Sequence, residues 1–165
     1  MTPGPLEPFV VAVETTLRES AGVEVVAGSA ARAPGIDRFD DVSILLRLDA
    51  DKPGWLVLRI PPATAAELAG RVLGTVEEKL DTAFIRDCVA ELLNVIAGQA
   101  KALVYGTPRH FTLATPTVVT AAPTGDSADQ WVIPFDSDVG AFDLLVCLPL
   151  ATVGDQEVAG ADKRG

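Results

Sequence analysis

The sequence predicts an α+β domain, with about three helices packed on a mainly antiparallel sheet of about six strands. Three observations carry this. Apolar residues recur every three to four positions in two long segments and one short one, the spacing of a buried helical face. Between them lie short runs of branched and aromatic residues separated by turns. The patterns come in blocks, helix and then strands, once in each half of the chain. Such blocks suit layers of separate helices and strands rather than alternating βαβ units. They also fit a degenerate internal duplication, although the halves share little sequence and the repeat is equally open to coincidence.

The first helix is expected over residues 6–19, where Leu6, Phe9, Val10, Val13 and Leu17 share a face and Gly22 follows the end. "VEVVAG" opens an extended region, and "ARAPGIDRFDD" is a turn-rich connection. "VSILLRLDA" and "WLVLRI" read as a hairpin joined through "DADKPG", with Pro53 and Gly54 supplying turn geometry. "PPATAAELAGRVLG" reads as a short helix, with Thr64 and Glu67 as a capping box and Gly74 as its stop. Asp81 is placed to cap a long helix over residues 82–104, which ends near Gly106 and Pro108. "HFTLATPTVVTA", "QWVIPF" and "FDLLVCLPL" complete the strands, linked by "PTGDSAD" and "DSDVGA". One domain is expected over residues 1–150, followed by a flexible polar tail over 151–165.

Composition excludes several functions. Of 165 residues, 48% are apolar, which supports a sizeable core. No run reaches the roughly 18–20 apolar residues of a membrane span. The opening "MTPGPLEPFV" lacks the basic flank and apolar stretch of a signal peptide, so a cytoplasmic protein is expected. A formal net charge of -10 with no basic stripe argues against nucleic acid and against anionic membranes. Cys88 and Cys147 lie in apolar runs and read as small buried hydrophobes, with no disulfide framework or zinc spacing.

The long helix holds the informative anomaly. Asn94 is the only asparagine in the chain, and Gly98 follows it by one turn. Both are poor helix formers in a segment that uses alanine freely. At about 100° per residue, Ile85, Val89, Leu92, Leu93, Ile96, Ala100 and Leu103 face the core. Asp87, Glu91, Asn94, Gly98 and Lys101 fall on the opposite side. A plain solvated face accounts for Asp87 and Lys101. It accounts poorly for Asn94 and Gly98, where alanine, glutamate or lysine would serve better. An amide can donate to and accept from one water at once, so a Glu-x-x-Asn pair can hold a charged partner and aim water at a phosphoryl group. The pair has no nucleophile and too few ligands for a metal of its own.

These residues resemble the CheC/CheX/FliY family of chemotaxis phosphatases. The family's helical motif is Asp/Ser-x3-Glu-x2-Asn, with a proline about two dozen residues on. Asp87, Glu91 and Asn94 fit that spacing, and Pro116 falls one residue early. "NVIAGQAKALV", "TPTVVT" and "VIPFDSDVGAFDLLVCL" are similar to the CheX branch, and "PFVVAVETTLRESAGVEV" to its first helix and strand. The resemblance spans about residues 6–148. It implies a CheC/CheX-like fold and hydrolysis of the phospho-aspartate on a response-regulator receiver domain. Carried over, Glu91 docks against the receiver's lysine and Asn94 orients the attacking water. Asp87 sits at the edge of the contact. Gly98 and Lys101 are placed on the partner-binding face by the helix periodicity rather than by the family motif, Gly98 permitting close approach. No cofactor of the chain's own is implied; magnesium is expected on the receiver. A homodimer is implied, as for CheX. Two-site members repeat Glu-x-x-Asn on the first helix; here Glu14 is followed three residues on by Leu17, so one site is expected. The family's frequent glycine after "PTVVT" is Ala121 here. Non-catalytic receiver binding, or a structural role in a signalling assembly, are the alternative readings.

Other candidates are weaker. His110 is the lone histidine and has no serine elbow to serve. Asp37, Asp40, Asp41, Asp49 and Asp51 bunch near loops without calcium-loop spacing. "GRVLGTVEEK" lacks the lysine-serine ending of a nucleotide loop. Trp55 and Trp131 read as core or interface residues.

Overall fold

The computed structural model describes residues 4–32, 42–50, 53–74, 80–107, 110–120 and 130–148. A 3-10 turn, Gly4–Leu6, leads into helix α1, Glu7–Ala21. Strands β1 (Val25–Ala27), β2 (Ala31–Arg32), β3 (Val42–Asp49) and β4 (Gly54–Ile60) follow. Helices α2 (Pro62–Leu73) and α3 (Thr82–Val104) come next, then β5 (Thr112–Leu113), β6 (Thr117–Val118), β7 (Gln130–Ser137) and β8 (Phe142–Cys147).

The helix ends follow from local chemistry. Gly22 adopts φ 65°, a left-handed conformation suited to glycine. There the N–H of Gly22 donates to Arg18 O at 3.0 Å and that of Val23 to Leu17 O at 3.1 Å, closing α1 in a Schellman arrangement. The carboxylate of Asp81 accepts from Ala83 N at 3.3 Å and caps α3. At the other end of α3 the Thr107 hydroxyl donates to Val104 O at 2.6 Å. The expected capping box on α2 is not formed. Pro61 is the N-cap residue and makes no side-chain cap. Thr64 therefore sits inside the first turn, where it is buried. Two prolines start this helix instead, because neither needs the backbone donor that a first turn leaves unsatisfied.

All strand pairs are antiparallel, in the order β1-β7-β8-β4-β3-β5, with β2 also on β7 and β6 also on β3. Six strands are expected from the sequence, and eight form among the described residues. Ala31–Arg32 adds one short strand. The segment "HFTLATPTVVTA" adds another by splitting: Leu48 faces Leu113 and Leu45 faces Thr117, so residues 114–116 oppose only 46 and 47. The extra residue is a bulge, and Pro116, which has no N–H for the ladder, sits within it. Exchanging β1–β4 for β5–β8 in number order reverses the sheet order and leaves every pairing in place. The helix-then-strands repeat is therefore a topological duplication.

The helices cover one face of the sheet. Phe9, Val13 and Leu17 of α1 join Leu93 and Ile96 of α3 and Leu46, Leu56 and Leu144 of the sheet in one core. Each such fully buried side chain contributes roughly 1.5–3 kcal/mol. The Phe9 and Phe111 rings stack with centroids 6.1 Å apart, tying α1 to the approach of β5. On the opposite face Leu45, Trp55, Val57 and Leu145 form a second, smaller cluster. That explains why β3 and β4 read as nearly continuous apolar runs: both their faces are buried. Trp131 is half-buried, with the Arg32 guanidinium 5.0 Å from its ring centre. Leu103, expected in the core, is 53% exposed. Val104 takes the inward place, and Cys88 and Ala97 join it in the core. The connections at 33–41, 75–79 and 123–129, Asp37, Asp40, Asp41 and Asp51, Pro108, Ala121 and the 151–165 tail lie outside the described residues.

Candidate active site

Helix α3 is anchored between α1 and the sheet along its apolar side, with Val89, Leu93, Ile96, Ala97 and Ala100 fully buried. Its far side is consequently fixed in direction. Asp87 and Glu91 are exposed there, and Asn94, Gly98 and Lys101 are half-buried. The structure thus brings all five onto one outward face. Glu91 and Asn94 are three residues apart, a rise of about 4.5 Å along the axis. Among the described residues, no ion pair engages Asp87, Glu91 or Lys101, and no hydrogen bond engages the Asn94 amide. An anion and an amide held rigidly and left unengaged can bind a cation and a water from outside.

Gly98 has no structural need to be glycine. Its φ is not positive, and a Cβ built there meets no atom of the described residues within 4 Å. It leaves a bare stretch of helix one turn beyond Asn94. Cys88, the residue after Asp87, is buried, and burial pushes its thiol up from its ordinary value. Phe84 was not singled out by sequence. It lies seven residues before Glu91, hence on nearly the same side, and is 38% exposed. The i, i+7 spacing was the available signal.

Helix α1 carries no second copy of the pair. Buried and half-buried positions over residues 11–17 repeat those over 91–97, apart from the first, Val11, half-buried where Glu91 is exposed. That match sets Val11 and Glu14 opposite Glu91 and Asn94. The frame of Glu14 and Leu17 is wrong by one turn, because Leu17 is a core residue.

His110 is half-buried with its ring edge-on to Tyr105, centroids 5.6 Å apart. Among the described residues, no three His, Cys, Asp or Glu side chains cluster to hold a metal. None of the described helices is long and apolar enough to cross a membrane.

A family model described as chemotaxis phosphatase CheX matches residues 42–136, more than half of the chain. The chain belongs to the CheX family. Solved structures agree with this fold. A CheC-like superfamily protein from Shewanella sp. PV-4 is 25% identical, with a TM-score of 0.76, covering 89% of this chain and 98% of that one. CheX from Desulfovibrio desulfuricans is 24% identical, with a TM-score of 0.75 and coverage of 88% and 99%. The CheX–CheY–BeF3–Mg2+ complex from Borrelia burgdorferi matches at 21% identity and a TM-score of 0.67, covering 86% and 96%. No curated protein matches in sequence. The CheX match includes α3 and Pro116, so the candidate face lies within the family-defining region.

Proposed function

We propose that this CheX-family chain is a phosphatase for the phospho-aspartate of a response-regulator receiver domain. The observation that carries the reading is the pairing of Glu91 and Asn94 on one unengaged face of a helix whose other side is locked in the core. The CheX–CheY complex among the similar structures supports the choice of partner. In this reading Glu91 pairs with a lysine of the receiver and fixes the docked orientation. Asn94 enters the receiver's site and holds one water in line with the phosphorus. The water oxygen bonds to phosphorus, the bond to the aspartyl oxygen breaks, and inorganic phosphate and a free carboxylate result. Asp87 borders the contact, Gly98 admits the receiver's surface, and Lys101 faces it farther along α3. Magnesium belongs to the receiver. The activity is assigned to residues 1–150 and to the cytoplasm, with the chain acting as a homodimer and residues 151–165 outside the catalytic unit.

The test is phosphate release from a receiver domain loaded by a small phosphodonor, with and without this protein. Acceleration that disappears in Asn94→Ala supports the reading. A stable complex with an unchanged phospho-aspartate lifetime would instead make the protein a receiver-binding module.

A further inference from the structure

We propose that Phe84 is the apolar anchor of the receiver contact and sets the affinity for the protein substrate without taking part in the chemistry. This inference rests on the receiver reading above. A phenylalanine in the first turn of α3 has good reason to turn inward, since the helix buries its apolar side against α1 and the sheet. Yet Phe84 remains 38% exposed, while Cys88 and Val89, four and five residues on, are buried. It stands about 10 Å before Glu91 along the axis and about 20° away around it, given 1.5 Å and 100° per residue. Phe84, Asp87 and Glu91 therefore make one continuous patch: a ring beside two carboxylates, none of the carboxylates engaged among the described residues.

The occupant this patch fits is the same receiver. A partner whose lysine meets Glu91 must lay the surface around that lysine along the neighbouring turns of α3. Charge gives orientation and encounter rate, whereas aromatic rings, phenylalanine among them, are enriched in the desolvated core of interfaces, where a few residues carry a disproportionate share of the affinity. Tyr105, at the other end of α3, is a poorer choice although it is 77% exposed. It lies about 21 Å beyond Glu91 along the axis, and its ring already packs edge-on against His110.

The experiment measures phosphate release against receiver concentration for the wild type, Phe84→Ala, Phe84→Leu and Tyr105→Ala, with thermal melts to confirm folding. Phe84→Ala is expected to raise the half-saturating receiver concentration by about tenfold, the size expected of a modest hot spot. Its rate at saturation should stay within about twofold of wild type, because Asn94 and Glu91 are intact. Phe84→Leu should recover most of the loss, and Tyr105→Ala should change little. An active wild type with an unmoved half-saturation in Phe84→Ala overturns the inference and leaves the phosphatase reading standing. So does a shift in Tyr105→Ala alone, or a loss of saturated rate without a change in half-saturation. A wild type that neither binds nor dephosphorylates any receiver removes the parent reading itself.

Discussion

Gly140 of the β7–β8 turn sits directly against Thr64 of α2: a Cβ at Gly140 would overlap the Thr64 hydroxyl. The turn backbone is at φ 128°, outside the range of ordinary side chains. The close approach accompanies the burial of Thr64, which stands inside the first turn of α2. Gly140→Ala is expected to destabilise the protein by at least about 2 kcal/mol, since backbone strain and steric overlap add. Urea unfolding measures it; a midpoint unchanged from wild type would mean that the turn can move away from α2.

Asn94→Ala and Glu91→Lys are expected to fail differently. Removing the amide should lower the saturated rate of phosphate release by about 100-fold, the scale set by deleting one preorganised polar contact. Reversing the docking charge should instead raise the half-saturating receiver concentration by about tenfold or more, since like charges now meet. Steady-state kinetics at several receiver concentrations separates the two. Equal effects on both parameters from both variants would contradict the assigned roles.

Gly98→Ala is expected to gain stability and lose binding. A methyl there has open space and an ordinary helical backbone, so the helix gains about 1 kcal/mol. If the receiver's surface comes close to this turn, its dissociation constant rises by about tenfold, or roughly 1.4 kcal/mol. Urea unfolding and titration with a phosphorylated receiver read the two effects independently. Stabilisation with unaltered binding would place the contact elsewhere on α3.

Leu17→Asn is expected to destroy stability rather than create a second site. Leu17 is 1% exposed, so an amide there loses apolar contacts and is left unpaired, at a cost of about 3 kcal/mol or more. The positions on α1 that match the motif are Val11 and Glu14. A Val11→Glu, Glu14→Asn double variant should fold, as judged by its thermal midpoint, where Leu17→Asn does not.

Cys88 predicts alkaline behaviour. Burial raises its thiol above the ordinary value of 9.0. The unfolded chain therefore ionises first as pH rises. The stability associated with the neutral thiol is fully present below about pH 9 and is lost as pH rises through the raised folded-state value. Cys88→Ala should flatten the fall in urea midpoint above that pH. An identical slope in both proteins would assign the loss to other groups.

The bounds of α3 and the face carrying Glu91 and Asn94 were legible because one long helix, with one apolar side, has only one way to lie on a sheet. Leu103 misled because the helix ends one residue later. Val104 closes the last turn inward, and phase errors accumulate toward a terminus. The Thr64 box matched in spacing but not in frame, because two prolines already supplied the helix start. The split at Pro116 was visible as a proline within a strand, yet its pairing on β3 depends on register between distant segments. Phe84 is not legible as a site residue in the sequence, because a lone exposed ring is ordinary by composition. Only its position beside Asp87 and Glu91 distinguishes it.

The sheet order has a mechanical consequence. Strands β1 and β2, from the first half, pair with β7 of the second, while β5 and β6 pair with β3 of the first. Each half thus completes the other's sheet as well as meeting it at the β4–β8 seam. Neither half can leave without stripping outer strands from its counterpart. The molecule should therefore lose structure in a single cooperative step, and separately expressed halves should regain order only when mixed.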